Sequence, residues 1–310
     1  MRNNQSWVTE FILVGFQLSA DMGLLLFWIF SLFYVLSLLA NGMILGLIWL
    51  DQRLHTPMYF FLSQLAIIDM SFACNNVPKM LGNLVKQEKT IFFGPCIFQM
   101  FLYLTCAAAD CLILVAMSYD RYVAICHPLQ YTVIMNWRVC AFLAIASWTG
   151  GFLLTLLQVV LLLRLPFCGP QVVNHIFCEI LSVLKLACAD TWINEIGMLA
   201  SGAFVMVGPL SLMLVSYTRI LWVILKMQSG EGCRKAFSTC SSHLCVVGLY
   251  FGIGMVFYLV PGGTQREEQQ KTLSLFYGLF NPLLNPFIYS LRNTQVKSAF
   301  YRVLQKKRSL

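Results

Sequence analysis

Residues 23–50 read GLLLFWIFSLFYVLSLLANGMILGLIWL, an apolar run that no charged residue interrupts. A helix needs about 20 apolar residues to cross a hydrocarbon core of about 30 Å. Within lipid the backbone must satisfy its hydrogen bonds internally, and a helix does so along its own length. This stretch therefore predicts a transmembrane helix.

Further runs of this kind follow along the chain of 310 residues, which is 59% hydrophobic and 11% charged. Its mean hydropathy of +0.74 is far above that of a soluble domain. A transmembrane β-barrel would show alternating segments of about ten residues, whereas these runs are long and continuous. We therefore predict an all-α membrane protein, a seven-transmembrane helix bundle with spans at 23–50, 57–81, 97–116, 139–163, 196–225, 236–261 and 272–290.

Lysine and arginine are unevenly divided between the two sides of these spans. If the N-terminus is outside, the inner loops and the C-terminal tail carry a large basic excess, while the charges of the outer loops balance. The positive-inside rule then predicts an extracellular N-terminus and a cytoplasmic C-terminus, in a multi-pass protein of the plasma membrane. Because the basic residues are spread over juxtamembrane loops, we expect anionic membrane lipid as a partner and no nucleic acid.

The chain accordingly divides into an extracellular tail at 1–22, a seven-helix domain at 23–290 and a cytoplasmic segment at 291–310. The tail lacks the basic start and cleavage site of a signal peptide, so the first span is expected to be an uncleaved anchor. The tail contains the glycosylation sequon Asn4-Gln5-Ser6. Between 293 and 304, apolar residues recur at helical spacing among basic ones, which predicts a short amphipathic C-terminal helix on the inner membrane surface.

Four of the twelve cysteines, Cys96, Cys168, Cys178 and Cys188, fall on the outer side, where disulfides persist. Four cysteines allow three pairings, and their spacing does not choose among them. Three of the four lie in the long connection 164–195, and long structured connections are usually lids or binding loops. Disulfides there either shape a lid over the bundle or serve fold stability alone.

Two aspartates, Asp69 and Asp110, lie inside the second and third spans. Ionisable residues in a membrane are costly, and each is therefore a functional hypothesis. Two carboxylates at similar depth repel unless they share a proton or a cation. A bound sodium ion is one solution, since hard cations favour oxygen ligands. Protonated, hydrogen-bonded carboxyl groups are the other.

The third span ends in Asp120-Arg121-Tyr122. An arginine at this point can be held by the neighbouring carboxylate in one state and released to a partner in another, which describes a switch. The alternative is an arginine that merely extends its charge to the interface.

The seventh span ends in NPLLNPFIY at 281–289, where the prolines remove backbone hydrogen bonds and bend the helix. A bent helix with Tyr289 at its inner end predicts a moving part. Pro209 and Tyr217 give the fifth span a similar bend and inner tyrosine.

The motifs now resemble a known family, the rhodopsin-like G-protein-coupled receptors. The matching residues are Asn41, Asp69, Asp120, Arg121, Tyr122, Trp148, Pro209, Asn285, Pro286 and Tyr289. Four strings look like odorant (olfactory) receptors within that family: LHTPMYFFL at 54–62, MSYDRYVAIC at 117–126, KAFSTCSSHL at 235–244 and PFIYSLRN at 286–293.

The resemblance implies the disulfides Cys96–Cys178 and Cys168–Cys188, and sodium near Asp69 and Asp110 as the one ion, with no required cofactor. It also implies coupling to a heterotrimeric stimulatory G protein that raises cyclic AMP. The residues it implies for activation and coupling are Asp120, Arg121, Tyr122, Tyr217, Asn285, Pro286 and Tyr289.

Two positions depart from the family pattern. Ala40 precedes Asn41 where the family usually has glycine, and Tyr250-Phe251-Gly252 replaces Phe-Tyr-Gly. The second departure puts the aromatic floor of the ligand pocket in question.

By the same resemblance, the pocket lies in the outer half of the bundle and takes a small volatile odorant. No candidate residue is charged, so we expect mostly apolar ligands, with Ser201 and Tyr258 each offering one directional hydrogen bond. Plain helix packing is the alternative for each residue. The candidates are Tyr103, Leu104, Ala107, Ala108, Ser201, Val205, Gly254, Met255, Tyr258 and Tyr277.

Other classes of protein fit the sequence less well. Intramembrane aspartyl proteases also pair aspartates, but in a Gly-x-Gly-Asp context that both flanks here lack. A transporter should show internal repeats. No nucleophile with a positioned base, metal-binding histidine cluster or phosphate loop indicates an enzyme. A non-olfactory receptor of the same fold is the main alternative.

Overall fold

The computed structural model describes residues 8–86, 89–168, 171–226, 240–253, 264–291 and 294–308. Five helices in these ranges are long and apolar enough to cross a membrane. They are α1 (Ala20–Leu50), α2 (Pro57–Val85), α3 (Phe93–Cys126), α5 (Trp137–Leu163) and α7 (Trp192–Lys226). Two short helices separate them, α4 (Tyr131–Ile134) and α6 (Ile180–Leu184).

The remaining helical segments follow α7. An apolar helix, α8, covers Cys240–Ile253, within the predicted sixth span. Then α9 (Thr264–Leu275), a π-helical turn (Phe276–Phe280) and α10 (Asn281–Leu291) continue into one another across the predicted seventh span. The N–H of Asn281 bonds the carbonyl of Phe276, five residues earlier, next to Pro282, which has no N–H to donate. The last helix is α11 (Thr294–Arg308).

The helices extend beyond the apolar runs that predicted them. The third span was predicted at 97–116, whereas α3 runs from Phe93 to Cys126 and includes the Asp120-Arg121-Tyr122 motif. Hydrophobicity marks only the part of a helix that lies in hydrocarbon, and the backbone ladder continues until a cap or proline ends it. Asn136, for example, caps α5 by accepting hydrogen bonds from the N–H groups of Arg138 and Val139, each at 3.1 Å.

The helix α3 forms the centre of the bundle and packs against α2, α5 and α7. Its approach to α5 depends on Gly151, where an added Cβ would lie 2.8 Å from the carbonyl oxygen of Thr105. The helices α1 and α10 are joined by Asn41, whose Nδ2 donates to the carbonyl of Pro282 at 2.8 Å. Asn41, one of the polar residues of the predicted motifs, is thereby buried between two helices.

A three-stranded sheet covers one end of the bundle, so the prediction of an all-α fold was incomplete. The central strand is β1 (Glu10–Leu13), which pairs antiparallel with β2 (Thr90–Phe92) and parallel with β3 (Val172–Val173). Phe11 and Leu13 are fully buried beneath it, while Ile12 between them is exposed. This alternation is typical of a half-buried strand, but over four residues it is too short to stand out in the tail.

At the opposite end of the bundle, α11 contacts the loop between α1 and α2 and the first turn of α2. Arg302 pairs with Asp51 through Nε at 2.9 Å and Nη2 at 2.5 Å, and the hydroxyl of Tyr59 donates to Gln295 at 3.0 Å. Val296 and Ala299 are buried on the bundle side of the helix.

Candidate functional site: an outer cavity and an inner polar network

The sheet end of the bundle is fastened by two disulfides, Cys96–Cys178 and Cys168–Cys188. These are the two pairs that the family resemblance implies. Next to the first of them, the N–H of Cys178 donates to Oε1 of Gln99 at 3.0 Å. The loop between α5 and α7 is thereby held against the N-terminal part of α3.

Beneath this loop lies a cavity of about 220 Å³. Aliphatic and aromatic side chains from α3, α5, α7 and α9 make up most of its wall, which suits a small apolar ligand. Its apolar lining comprises Leu104, Ala107, Ala108, Leu154, Ile180, Leu181, Met198, Val205, Met206 and Leu273, with the ring of Tyr277.

Every predicted pocket residue that the structure describes lines this cavity: Tyr103, Leu104, Ala107, Ala108, Ser201, Val205 and Tyr277. The other candidates, Gly254, Met255 and Tyr258, lie outside the described residues, as does the predicted glycosylation site Asn4.

Six polar residues of the wall are not among the predicted pocket residues: Thr155, Gln158, His175, Glu179, Gln270 and Ser274. Glu179 adds a charged residue to a wall whose predicted residues carry no charge. Its carboxylate accepts from the N–H groups of Leu181 at 3.0 Å and Ser182 at 2.7 Å, and so caps α6. A signal existed for Gln158, which is the one amide in the apolar run 139–163.

Tyr277, which lines the cavity, packs against Tyr250, and their ring centroids lie 5.2 Å apart. The hydroxyl of Tyr277 donates to the carbonyl of Tyr250 at 2.6 Å, and the hydroxyl of Tyr250 donates to the carbonyl of Ala107 at 3.1 Å. The exchanged order Tyr250-Phe251 therefore places an aromatic floor behind the cavity lining, and a hydrogen bond ties this floor to α3.

Below the floor, the structure places Asp69, Asp110 and Asn285 in the interior, each almost fully buried. Asn285 donates through Nδ2 to both carboxylate oxygens of Asp69, at 3.1 and 3.0 Å. Neither oxygen of Asp110 has a hydrogen-bond partner among the described residues. Buried, unpartnered carboxylate oxygens are suitable ligands for a hard cation, so these residues fit sodium.

Near the C-terminal end of α3, Asp120 contacts two side chains. Its Oδ2 lies 3.5 Å from Nη2 of Arg121, and its Oδ1 accepts from the hydroxyl of Tyr131 in α4 at 2.7 Å. Arg121 is therefore in the state in which the neighbouring carboxylate of Asp120 holds it. The neighbouring Tyr122 lies with its hydroxyl 3.3 Å from Nε2 of His127.

The two predicted inner tyrosines lie in different surroundings. The hydroxyl of Tyr217 is 2.5 Å from Nδ1 of His243, whose Nε2 is 3.1 Å from the carbonyl of Leu114. Tyr289 is buried, and its hydroxyl has no hydrogen-bond partner among the described residues. His243 lies in the motif at 235–244, but no role was predicted for it, although a lone histidine in an apolar span was a signal.

Comparison with known proteins assigns this arrangement to a family. A family model described as olfactory receptor matches residues 30–307. Olfactory receptor 2A2 of Homo sapiens is 66% identical over 310 residues, covering 100% of this chain and 98% of that protein. Olfactory receptor 2A5 of Homo sapiens is 67% identical, with 100% of both chains covered, and olfactory receptor 2A7 of Mus musculus is 60% identical over the same lengths. Matches of this extent confirm the resemblance drawn from the motifs.

Proposed function

The chain belongs to the olfactory receptor family of rhodopsin-like G-protein-coupled receptors, and on this premise we propose that it binds small volatile odorants in the outer cavity. We further propose that odorant binding activates a stimulatory, olfactory-type G protein and so raises cyclic AMP. The observation that carries the proposal is the mostly apolar cavity beneath the disulfide-held loop, lined by every described candidate residue.

The membrane arrangement is part of the proposal. Family members are multi-pass membrane proteins, and the chain would cross the plasma membrane seven times, with the cavity facing outward and the end that carries α11 facing the cytoplasm. The tail at 1–22 would be extracellular, the receptor domain would span 23–290, and 291–310 would form the cytoplasmic helix and tail. The basic excess of the inner loops supports this orientation and contact with anionic lipid.

Activation would release Arg121 from Asp120 toward the G protein. A ligand shifts an equilibrium only by its differential affinity for the two states, so the odorant must bind better when the inner end is open. The moving parts would be the bent helix α10, with Asn285, Pro286 and Tyr289, and the Tyr217 end of α7. Tyr122, next to Arg121, would belong to the same coupling surface.

Sodium is proposed as the ion between Asp69 and Asp110, and no other cofactor is required. A cation there would relieve the repulsion between two buried carboxylates, which otherwise demands a shared or bound proton. The unpartnered oxygens of Asp110 support this assignment.

The test is a cyclic AMP assay in cells that co-express the olfactory G protein, across a broad panel of volatiles. Surface expression is monitored by an N-terminal epitope tag, and an Arg121→Ala variant serves as control. A ligand-dependent rise that the variant lacks is expected. Silence across the panel, despite confirmed surface expression and with other G-protein pathways also unresponsive, would overturn the proposal.

A further inference from the structure

At Gln158 and Ser201, the polar wall of the cavity has its hydrogen-bond donors already engaged. Gln158 of α5 donates through Nε2 to the carbonyl oxygen of Gly197 at 2.9 Å and to Oγ of Ser201 at 3.2 Å. A carbonyl oxygen only accepts, so the atom facing it must be the amide nitrogen, and this fixes the orientation of the side chain. An amide nitrogen has two hydrogens, and both are used.

Ser201 has no hydrogen left for a ligand either. Its hydroxyl donates to the carbonyl of Met198 at 3.1 Å, and a hydroxyl carries one hydrogen. Ser201 is therefore an acceptor toward Gln158. The predicted directional hydrogen bond between Ser201 and the odorant can therefore use only a lone pair of the Ser201 hydroxyl, as an acceptor.

Oε1 of Gln158, in contrast, accepts no hydrogen bond from any residue that the structure describes. Gln158 is 6% exposed and lines the cavity, so this oxygen is available to a molecule that fills the cavity. An acceptor in such a place costs free energy until a donor reaches it.

The loop between α5 and α7 also presents hydrogen-bond acceptors to the cavity, from His175 and Glu179. Nδ1 of His175 lies 3.1 Å from the carbonyl of Phe177, and two acceptors at that distance would repel, so Nδ1 carries the hydrogen. The N–H of Phe177 is farther from Nδ1, at 3.4 Å. Burial lowers the pKa of His175, which keeps the ring neutral with a bare Nε2. Nε2 has no partner among the described residues, and Glu179 offers only carboxylate oxygens.

We propose that this wall selects odorants that carry a hydroxyl group, which donates its hydrogen to Oε1 of Gln158, over carbonyl compounds of the same carbon skeleton. The apolar body of the alcohol would pack on the side chains of α3, α7 and α9. A carbonyl or ether oxygen could accept from a hydroxyl of the wall, such as that of Tyr103 or Ser274, but it has no hydrogen to donate and would leave Gln158 unpartnered. The inference rests on the proposed odorant-binding function of this cavity.

The experiment compares matched sets of volatiles in the cyclic AMP assay. Each set contains an alcohol, the aldehyde or ketone with the same skeleton, and the methyl ether of the alcohol. For the wild-type receptor we expect half-maximal responses to alcohols at concentrations about tenfold or more below those of their partners, since an unsatisfied buried acceptor is costly. Equal potency of alcohols and carbonyl compounds would overturn the inference.

Two variants test the assigned atoms. Gln158→Leu removes the free acceptor and should abolish the advantage of alcohols. Ser201→Ala leaves Gln158 in place but releases one hydrogen of Nε2, so carbonyl compounds should gain potency relative to alcohols. Ser201→Ala also keeps the inference testable if Gln158→Leu does not reach the cell surface.

Ser211→Ala is the matched control. Ser211 lies on α7 like Ser201 but is exposed, and it donates to the carbonyl of Val207 at 2.7 Å. The Ser211→Ala variant should leave the preference for alcohols unchanged. If Ser201→Ala also leaves the preference unchanged at normal surface level, the hydrogen-bond assignment is wrong. A receptor that responds to carbonyl compounds alone refutes this inference and leaves the proposed function standing, whereas a receptor silent to all sets counts against the function itself.

Discussion

The hydroxyl of Tyr217 lies 2.5 Å from Nδ1 of His243, and this contact joins α7 to α8 at the inner end of the bundle. Through Nε2, His243 also reaches the carbonyl of Leu114 in α3. The same structure holds Arg121 against Asp120, so the link belongs to the arrangement in which the arginine is not released.

Removing this link should favour release of the arginine. We expect Tyr217→Phe to raise cyclic AMP without ligand by about two- to tenfold, because a net hydrogen bond contributes about 0.5–1.5 kcal/mol to the equilibrium between states. Basal cyclic AMP, normalised to surface expression, is the measurement. The double variant with Arg121→Ala should stay silent. An unchanged or lowered basal level in Tyr217→Phe would show that the link does not restrain activation.

Gly151 should tolerate no side chain. A Cβ there would lie 2.8 Å from the carbonyl of Thr105, so Gly151→Ala must push α5 away from α3 at a cost of about 1–3 kcal/mol. The melting temperature of the purified receptor should fall by several degrees, together with surface expression. Gly46→Ala in α1 is the control, since a Cβ there meets nothing within 4 Å. Equal stability of the two variants would contradict the close approach.

Sodium should stabilise the receptor through Asp110. At a sodium concentration ten times the dissociation constant, binding adds about 1.4 kcal/mol, which raises the melting temperature by a few degrees relative to choline chloride at equal ionic strength. The increase should vanish in Asp110→Asn and persist in Asp21→Asn, a change in the exposed first turn of α1. A sodium effect that survives in Asp110→Asn would place the ion elsewhere.

The ion pair between Asp51 and Arg302 predicts a pH dependence. Burial raises the pKa of Asp51, but the hydrogen bonds from Arg302 and from the N–H of Arg53, with the charges of both arginines, outweigh it and hold the pKa below its usual range. The contribution of the pair is therefore complete above the unfolded pKa of about 3.9 and lost as the pH falls through the lower folded value.

The test is a double-mutant cycle with Asp51→Asn and Arg302→Gln, read as melting temperatures. Because a third of the Arg302 side chain is exposed, at 33%, the coupling should be no more than about 1 kcal/mol at neutral pH. The melting temperatures of the wild type and of Asp51→Asn should converge as the pH falls into the acid range. A constant difference between them down to the lowest pH would argue against an ionic contribution.

The helices could be predicted from the sequence because lipid leaves a long apolar segment few other structures. The ends of α3 could not, since Phe93 and Cys126 lie beyond the apolar run and are set by local backbone hydrogen bonds. The strand β1 was missed because its pairing with residues 90–92 and 172–173 is non-local, and four residues carry little pattern of their own.

Part of the cavity lining could be predicted from the sequence at the level of residues, but not at the level of atoms. The resemblance to a family supplied the disulfide pairs that cysteine counting left open, and it supplied the cavity residues of α3 and α7. The donor and acceptor roles of Gln158 and Ser201 depend on the carbonyl of Gly197, on a helix separated in sequence from α5. Such donor and acceptor roles can be assigned only from the three-dimensional arrangement of these groups.

The central position of β1 also orders events during biosynthesis. The strand is made before α1, yet one of its two neighbours, Val172–Val173, emerges only after α1, α2, α3 and α5 have been made. In the proposed orientation, β1 would until then expose unpaired N–H and C=O groups and the apolar side chains of Phe11 and Leu13 in the lumen of the secretory pathway. Completion of the three-stranded sheet is thus a late step of maturation. A nascent receptor that stalls before residue 173 would leave an unpaired, apolar strand to which quality-control proteins can bind.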